Sequence, residues 1–117
     1  MTIKLYGIAN CDTVKRARTW LAQNGQAHQF VDFKKTGVPP ARLDDWLAAI
    51  GWDKLLNRQG TTWRKLQDSE RDAVADAASA RKLMLVQPSC IKRPLVEWDD
   101  GRITVGFDSG VWASMPE

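Results

Sequence analysis

Two cysteines and one histidine are all that this 117-residue sequence holds of the side chains that most often bind transition metals. A structural zinc site takes about four Cys or His ligands, so Cys11, Cys90 and His28 do not suffice for one. No apolar run approaches the roughly 20 residues of a membrane-spanning helix. The opening Met1-Thr2-Ile3-Lys4-Leu5-Tyr6 has no apolar stretch of signal-peptide length. Repeats and low-complexity segments are absent, and charge of neither sign dominates: 17 Lys and Arg stand against 14 Asp and Glu, for a net +3. The basic residues are dispersed rather than run together, which favours small anionic ligands over direct nucleic-acid binding. The expectation is a cytoplasmic monomer without membrane contact. Thiols are kept reduced there, so a Cys11–Cys90 disulfide is not expected.

Hydrophobic residues make up 44% of the chain and charged residues 26%, enough to build a core in a single domain spanning 1–117. Ile3 to Tyr6 alternates as a strand does, Gly7 to Asn10 reads as a turn, and Val14, Ala17 and Leu21 recur at helical spacing from a start near Cys11. Asn24-Gly25 stops that helix, and Gln29–Phe33 reads as a second strand. Strand, helix and strand within about thirty residues make a βαβ unit with parallel strands.

From about 37 to 86 the pattern is mostly helical. Pro39-Pro40 opens a helix with a stripe of Leu43, Trp46, Leu47 and Ile50, closed by Gly51. Thr61-Thr62 caps a short turn carrying Trp63 and Leu66, and Asp68 caps a helix through Val74, Ala77 and Ala78. The end returns to strand: Leu95–Trp98, the turn Asp99-Asp100-Gly101, and Ile103–Phe107 form a hairpin. Asp108-Ser109 then caps a short helix carrying Val111, Trp112 and Met115. The order β-α-β, helices, β-β-α is that of an α/β thioredoxin-like fold, a small mixed sheet with flanking helices and a helical insertion.

Cys11 is the first residue to weigh for chemistry. It follows a strand and a turn at the start of a helix, where unpaired N–H groups and the helix dipole favour thiolate over thiol. Lys15 lies one turn along the same face, and helical side chains lean toward the N-terminus, so its ammonium can lie over Cys11. A free cysteine also serves as a small buried hydrophobe; the helix start and Lys15 together favour the functional reading. Arg93-Pro94, directly before a strand, suits an edge position or a cis bond. Cys90, four residues before Pro94, has a resolving role or, by default, a packing one. His28 is read as a surface or strand-start residue, and Trp46 as core. Trp52, Trp63 and Trp112 either line a pocket or simply pack.

Asn10-Cys11 followed by Lys15, Arg58 within Leu55-Leu56-Asn57-Arg58, and Pro88-Ser89-Cys90-Ile91-Lys92-Arg93-Pro94 resemble the ArsC/Spx family over essentially the whole chain. Asn10-Cys11-Asp12-Thr13-Val14-Lys15-Arg16-Ala17 looks most like its YffB branch. The resemblance implies that Cys11 is the catalytic cysteine and that Asn10, Lys15, Arg58, Arg93 and Pro94 form the substrate-binding set. Arg58 and Arg93 correspond to arginines that face an oxyanion at the cysteine in arsenate reductases, and Pro94 to the cis-proline opposite the cysteine of thioredoxin folds. Guanidinium groups suit both tasks, forking onto oxyanions and holding a thiolate.

The departures are specific. Arsenate reductases carry another arginine near the last strand, where this chain has Thr104-Val105-Gly106-Phe107-Asp108, and arginine in place of Lys15. Spx regulators often carry Cys-x-x-Cys, whereas Val14 stands three residues after Cys11. The resemblance therefore implies a glutathione-dependent thiol reductase that forms a mixed disulfide on Cys11, with glutathione as co-substrate and no tightly bound cofactor or metal. Arsenate reduction by the same cysteine, and a non-enzymatic Spx-like module that docks on RNA polymerase, are the alternatives.

Overall fold

The computed structural model describes residues 2–115. Along the chain run β1 (Ile3–Gly7), α1 (Asp12–Gln23), β2 (His28–Asp32), α2 (Phe33–Thr36), α3 (Pro40–Ile50) and α4 (Trp52–Leu55). They are followed by α5 (Thr61–Lys65), α6 (Asp68–Asp72), α7 (Ala77–Val86), a 3-10 turn at Pro88–Cys90, β3 (Leu95–Glu97), β4 (Ile103–Val105) and α8 (Ser109–Ser114). Two compact units result. One runs through Phe33 and resumes at Arg93; the other is Lys34–Lys92.

The first unit holds a four-stranded sheet in the order β2-β1-β3-β4. β1 pairs parallel with β2, as the βαβ spacing predicts, and antiparallel with β3, while β3 and β4 form the expected hairpin. This mixed sheet with flanking helices is a thioredoxin-like α/β fold. Side chains alternate across a strand, so Ile3 and Leu5 share one face, and Val96, directly opposite Leu5, shares it too. Against that face α1 lays Val14, Ala17 and Leu21, each without exposed surface. Trp112 of α8 completes the cluster and meets Trp20, Trp98 and Phe107 edge to face, with ring centroids 5.6, 5.0 and 4.8 Å away. Both readings for Trp112 hold: it packs in this cluster, and with Trp20 and Trp98 it lines a small pocket. Asp108 caps α8 as expected, its Oδ1 accepting from the N–H groups of Gly110 and Val111.

The second unit is built on α3, α4 and α7. Leu43 and Trp46 bury the α3 stripe, Ala80 and Met84 that of α7, and Arg81 Nε reaches Asp44 Oδ1 at 2.6 Å between the two helices. Gly51 ends α3 at φ +94°, a conformation that glycine takes without a side-chain clash.

The helix expected from Asp68 through Ala78 is instead two. Asp68 is the first residue of α6 rather than its cap, and the Glu70 carboxylate reaches back to the N–H of Gln67. A new helix begins after Asp76, whose Oδ1 accepts from Ser79 N at 2.9 Å. Two competing caps close together divide the periodic pattern, since each satisfies N–H groups that a continuous helix would use internally. Likewise β2 ends at Asp32, and Phe33 opens the single-turn helix α2 rather than closing the strand. Gly60, not Thr61, precedes α5.

Candidate active site

Cys11 occupies the N-cap position of α1, with extended backbone at φ −133° and ψ 121°. Its carbonyl already accepts the first helical bond, from Lys15 N at 2.9 Å. No conventional capping oxygen closes this helix end; the half-buried sulfur stands there instead. Burial is the largest single influence on the thiol and pushes its pKa up. The N–H of Val14, the hydrogen bond and positive charge of Arg93, and the N–H of Thr13 act the other way and together outweigh it. The result is a thiol pKa below the ordinary range, the condition under which a cysteine is a working nucleophile at neutral pH.

The topology explains why Arg93 is present. β3 runs antiparallel to β1 with Tyr6 opposite Leu95, so the end of β1 lies beside the start of β3. The loop that carries Cys11 leaves from the first, and Arg93-Pro94 arrives at the second. The Arg93–Pro94 peptide bond is cis, Pro94 is buried, and its carbonyl accepts from Gly106 N at 2.9 Å.

Two further residues hold this end of the sheet, and neither was singled out for the site by the sequence. Asp32, at the end of β2, accepts the N–H of Ala9 through Oδ2 at 3.2 Å, which ties the turn before Cys11 to the neighbouring strand. An acidic residue closing a strand directly before a helix was the available signal. Gly7 approaches Val14 closely: a Cβ at position 7 would stand 2.8 Å from Val14 Cγ2. Val14 supplies one of the N–H groups that favour the thiolate, so the absence of a side chain at position 7 sets where the helix start can sit.

The remaining predicted residues fall as follows. Asn10 is exposed in the turn before Cys11. Lys15 is exposed on the first turns of α1; Val14, Arg93 and Thr13 are the groups that lower the Cys11 pKa, and Lys15 is not one of them. Arg58 belongs to the second unit, where Nη2 pairs with Asp53 Oδ1 at 2.7 Å and the guanidinium stands 5.7 and 6.0 Å from the ring centroids of Trp52 and Trp63. Cys90 has no exposed surface, and its carbonyl accepts from Asn57 N at 2.7 Å, the surroundings of a packing residue. His28 opens β2; its Nε2 accepts from Arg18 Nε at 3.3 Å. Burial first, and then the Arg18 charge, lower its pKa against the opposing pull of the Gln26 backbone. Among the described residues, no group of three or more His, Cys, Asp or Glu gathers where it could hold a metal, and no helix is long and apolar enough to cross a membrane.

Residues 6–115 match the family model for ArsC. A solved YffB protein is 48% identical, covers 97% of both chains and superposes with a TM-score of 0.90. An arsenate reductase-related protein from Brucella melitensis is also 48% identical, with 97% and 93% coverage and a TM-score of 0.77. An uncharacterized protein of Haemophilus influenzae is 37% identical over 91% of each chain.

Proposed function

Because this chain belongs to the ArsC family, we propose that it is a thiol reductase in which Cys11 attacks disulfide sulfur and glutathione is the co-substrate. The observation that carries the reading is the Cys11 sulfur at a helix start, beside Arg93 and with its pKa lowered. The family and the arsenate reductase-related neighbour support thiol reduction in general.

In the proposed cycle the Cys11 thiolate attacks one sulfur of a mixed disulfide between glutathione and a second thiol. A bond forms between Cys11 and the glutathione sulfur, the original S–S bond breaks, and the departing thiolate takes a proton from water. A second glutathione then attacks the Cys11 adduct, releasing oxidised glutathione and restoring the thiolate. The buried Cys90 takes no part, which makes the scheme monothiol. Arg93 holds the charge on sulfur in the resting state. Lys15, exposed one turn along α1, receives a glutathione carboxylate. Arg58 would have to release Asp53 before it could take an anion.

The test is incubation with oxidised glutathione, read by intact mass, followed by turnover of a small glutathionyl disulfide with excess reduced glutathione. The reading expects one glutathione on wild type, none on Cys11→Ser, and catalytic release of oxidised glutathione. No adduct and no turnover would overturn it.

A further inference from the structure

The exposed flank of α1 carries a feature of which the proposed exchange step uses Lys15 alone. Where α1 meets the segment Phe107–Ser109 there is an open groove. Trp20 and Phe107 line it, Lys15 and Arg16 bring positive charge to it, and Thr19 and Gln23 continue it along the helix.

Three observations bear on what it holds. The first is its origin. Cys11, Lys15, Thr19 and Gln23 recur every fourth residue, so they follow one another along one side of α1. The last three line the groove; the first carries the sulfur and packs against the same hydrophobic core as Trp20 and Phe107.

The second is length. At 1.5 Å per residue, the row from Cys11 to Gln23 extends about 18 Å. An extended chain covers about 3.3–3.6 Å per residue, so a tripeptide spans only about 10 Å and five or six residues match the row.

The third is charge. Among the described residues, no carboxylate lines the groove. The nearest acidic neighbour in sequence, Asp108, is occupied in capping α8. On the other side of the Lys15–Thr19 ridge the lining adds Arg18 and His28, again without an acidic group among the described residues.

Resting on the proposed thiol reduction, we propose that the substrate is an extended polypeptide carrying the glutathionyl disulfide, with acidic and apolar side chains beside its cysteine, laid along α1 in this groove. The apolar side chain covers Trp20 and Phe107, and the acidic one meets Arg16, while Lys15 keeps the glutathione carboxylate. The Cys11 thiolate takes the glutathionyl group, and the polypeptide leaves as a thiolate that is protonated from water. A second glutathione resolves the adduct, so each turnover consumes two glutathione equivalents, one from the substrate and one from solution, and yields one oxidised glutathione.

The test compares kcat/KM for three disulfides: a glutathionylated hexapeptide with Glu and Leu flanking cysteine, the same peptide with Lys in place of Glu, and the mixed disulfide of glutathione with 2-mercaptoethanol. Wild type is expected to prefer the acidic peptide at least tenfold over each of the others. In Arg16→Glu the ratio of acidic to basic peptide is expected to fall at least tenfold, and raised salt is expected to lower it in wild type. Equal values for the three disulfides, unchanged by Arg16→Glu, would overturn the groove assignment while leaving thiol reduction standing. Failure to turn over any of the three would instead remove the reading on which the assignment rests.

Discussion

Arg93 favours the thiolate of Cys11 from across a strand pairing, with β1 delivering the cysteine and β3 the arginine. Burial alone would push the Cys11 pKa up. The Arg93 contact and the Val14 and Thr13 amides reverse that outcome. The consequences divide between reactivity, stability and loop geometry.

Arg93→Met is expected to slow thiol–disulfide exchange at pH 7 by about three- to tenfold. An unassisted thiol of pKa about 8.5 is only a few per cent ionised there. The deficit should close as pH rises above that value, because the variant thiol then ionises unaided and a more basic thiolate is the better nucleophile. Stopped-flow reaction with a small disulfide across pH checks this; a deficit that persists at high pH would assign Arg93 a structural role.

The same lowered pKa ties Cys11 to folding. Its folded-state pKa lies below its unfolded one, so its stabilising contribution is full above the unfolded thiol range. It is lost progressively as pH falls through the folded value. Wild type should therefore lose stability relative to Cys11→Ser as pH is lowered through that window, and the difference should be flat below it. Urea titrations at a series of pH values measure the crossing.

Gly7→Ala would place a Cβ 2.8 Å from Val14 Cγ2. Val14 is fully buried and part of the core, so the helix start must shift rather than the side chain swing away. The expected cost is about 1–3 kcal/mol, accompanied by a rise in the Cys11 alkylation midpoint. Gly101→Ala, in the hairpin turn, provides the control: it is strained by its φ of +94° but nothing lies within 4 Å of its Cβ, so it should lower stability without moving the midpoint.

Asp32→Ala removes the acceptor for Ala9 N–H. At this exposed position the loss of stability should be small, about 0.5–1.5 kcal/mol. The exchange rate should drop more than stability does, because the turn that aims Cys11 is freed. Asp32→Asn, which keeps an acceptor oxygen, should recover most of the rate.

Trp112→Ala should cost about 3–5 kcal/mol, since Trp112 is 4% exposed and meets Trp20, Trp98 and Phe107. Thermal unfolding checks the magnitude.

Most of the sheet was legible because its residues obey local rules. Ile3, Leu5 and Val96 alternate, Val14, Ala17 and Leu21 follow the helical period, and Gly25 and Gly51 stop helices at positive φ. The cysteine at a helix start could likewise be read from position, whereas position left Arg93-Pro94 open between an edge and a cis bond and the family resemblance pointed to the cis form that is observed. What sequence could not supply was the balance of forces at the sulfur. Lys15 is a helical neighbour by spacing, yet the groups that lower the Cys11 pKa are the Val14 N–H first, then Arg93, remote in sequence and brought in by strand pairing, and the Thr13 N–H. The Asp32–Ala9 bond and the Gly7–Val14 approach are also set by tertiary proximity. The break between α6 and α7 was missed because Gln67–Glu70 and Asp76–Ser79 cap more effectively than the apolar period suggests.

The rate of Cys11 alkylation against pH, in wild type and in Arg93→Met, tests the thiolate most directly. The midpoint should lie below the ordinary thiol range in wild type and rise toward it in the variant. A wild-type midpoint at the ordinary thiol value, unmoved by Arg93→Met, would contradict the account.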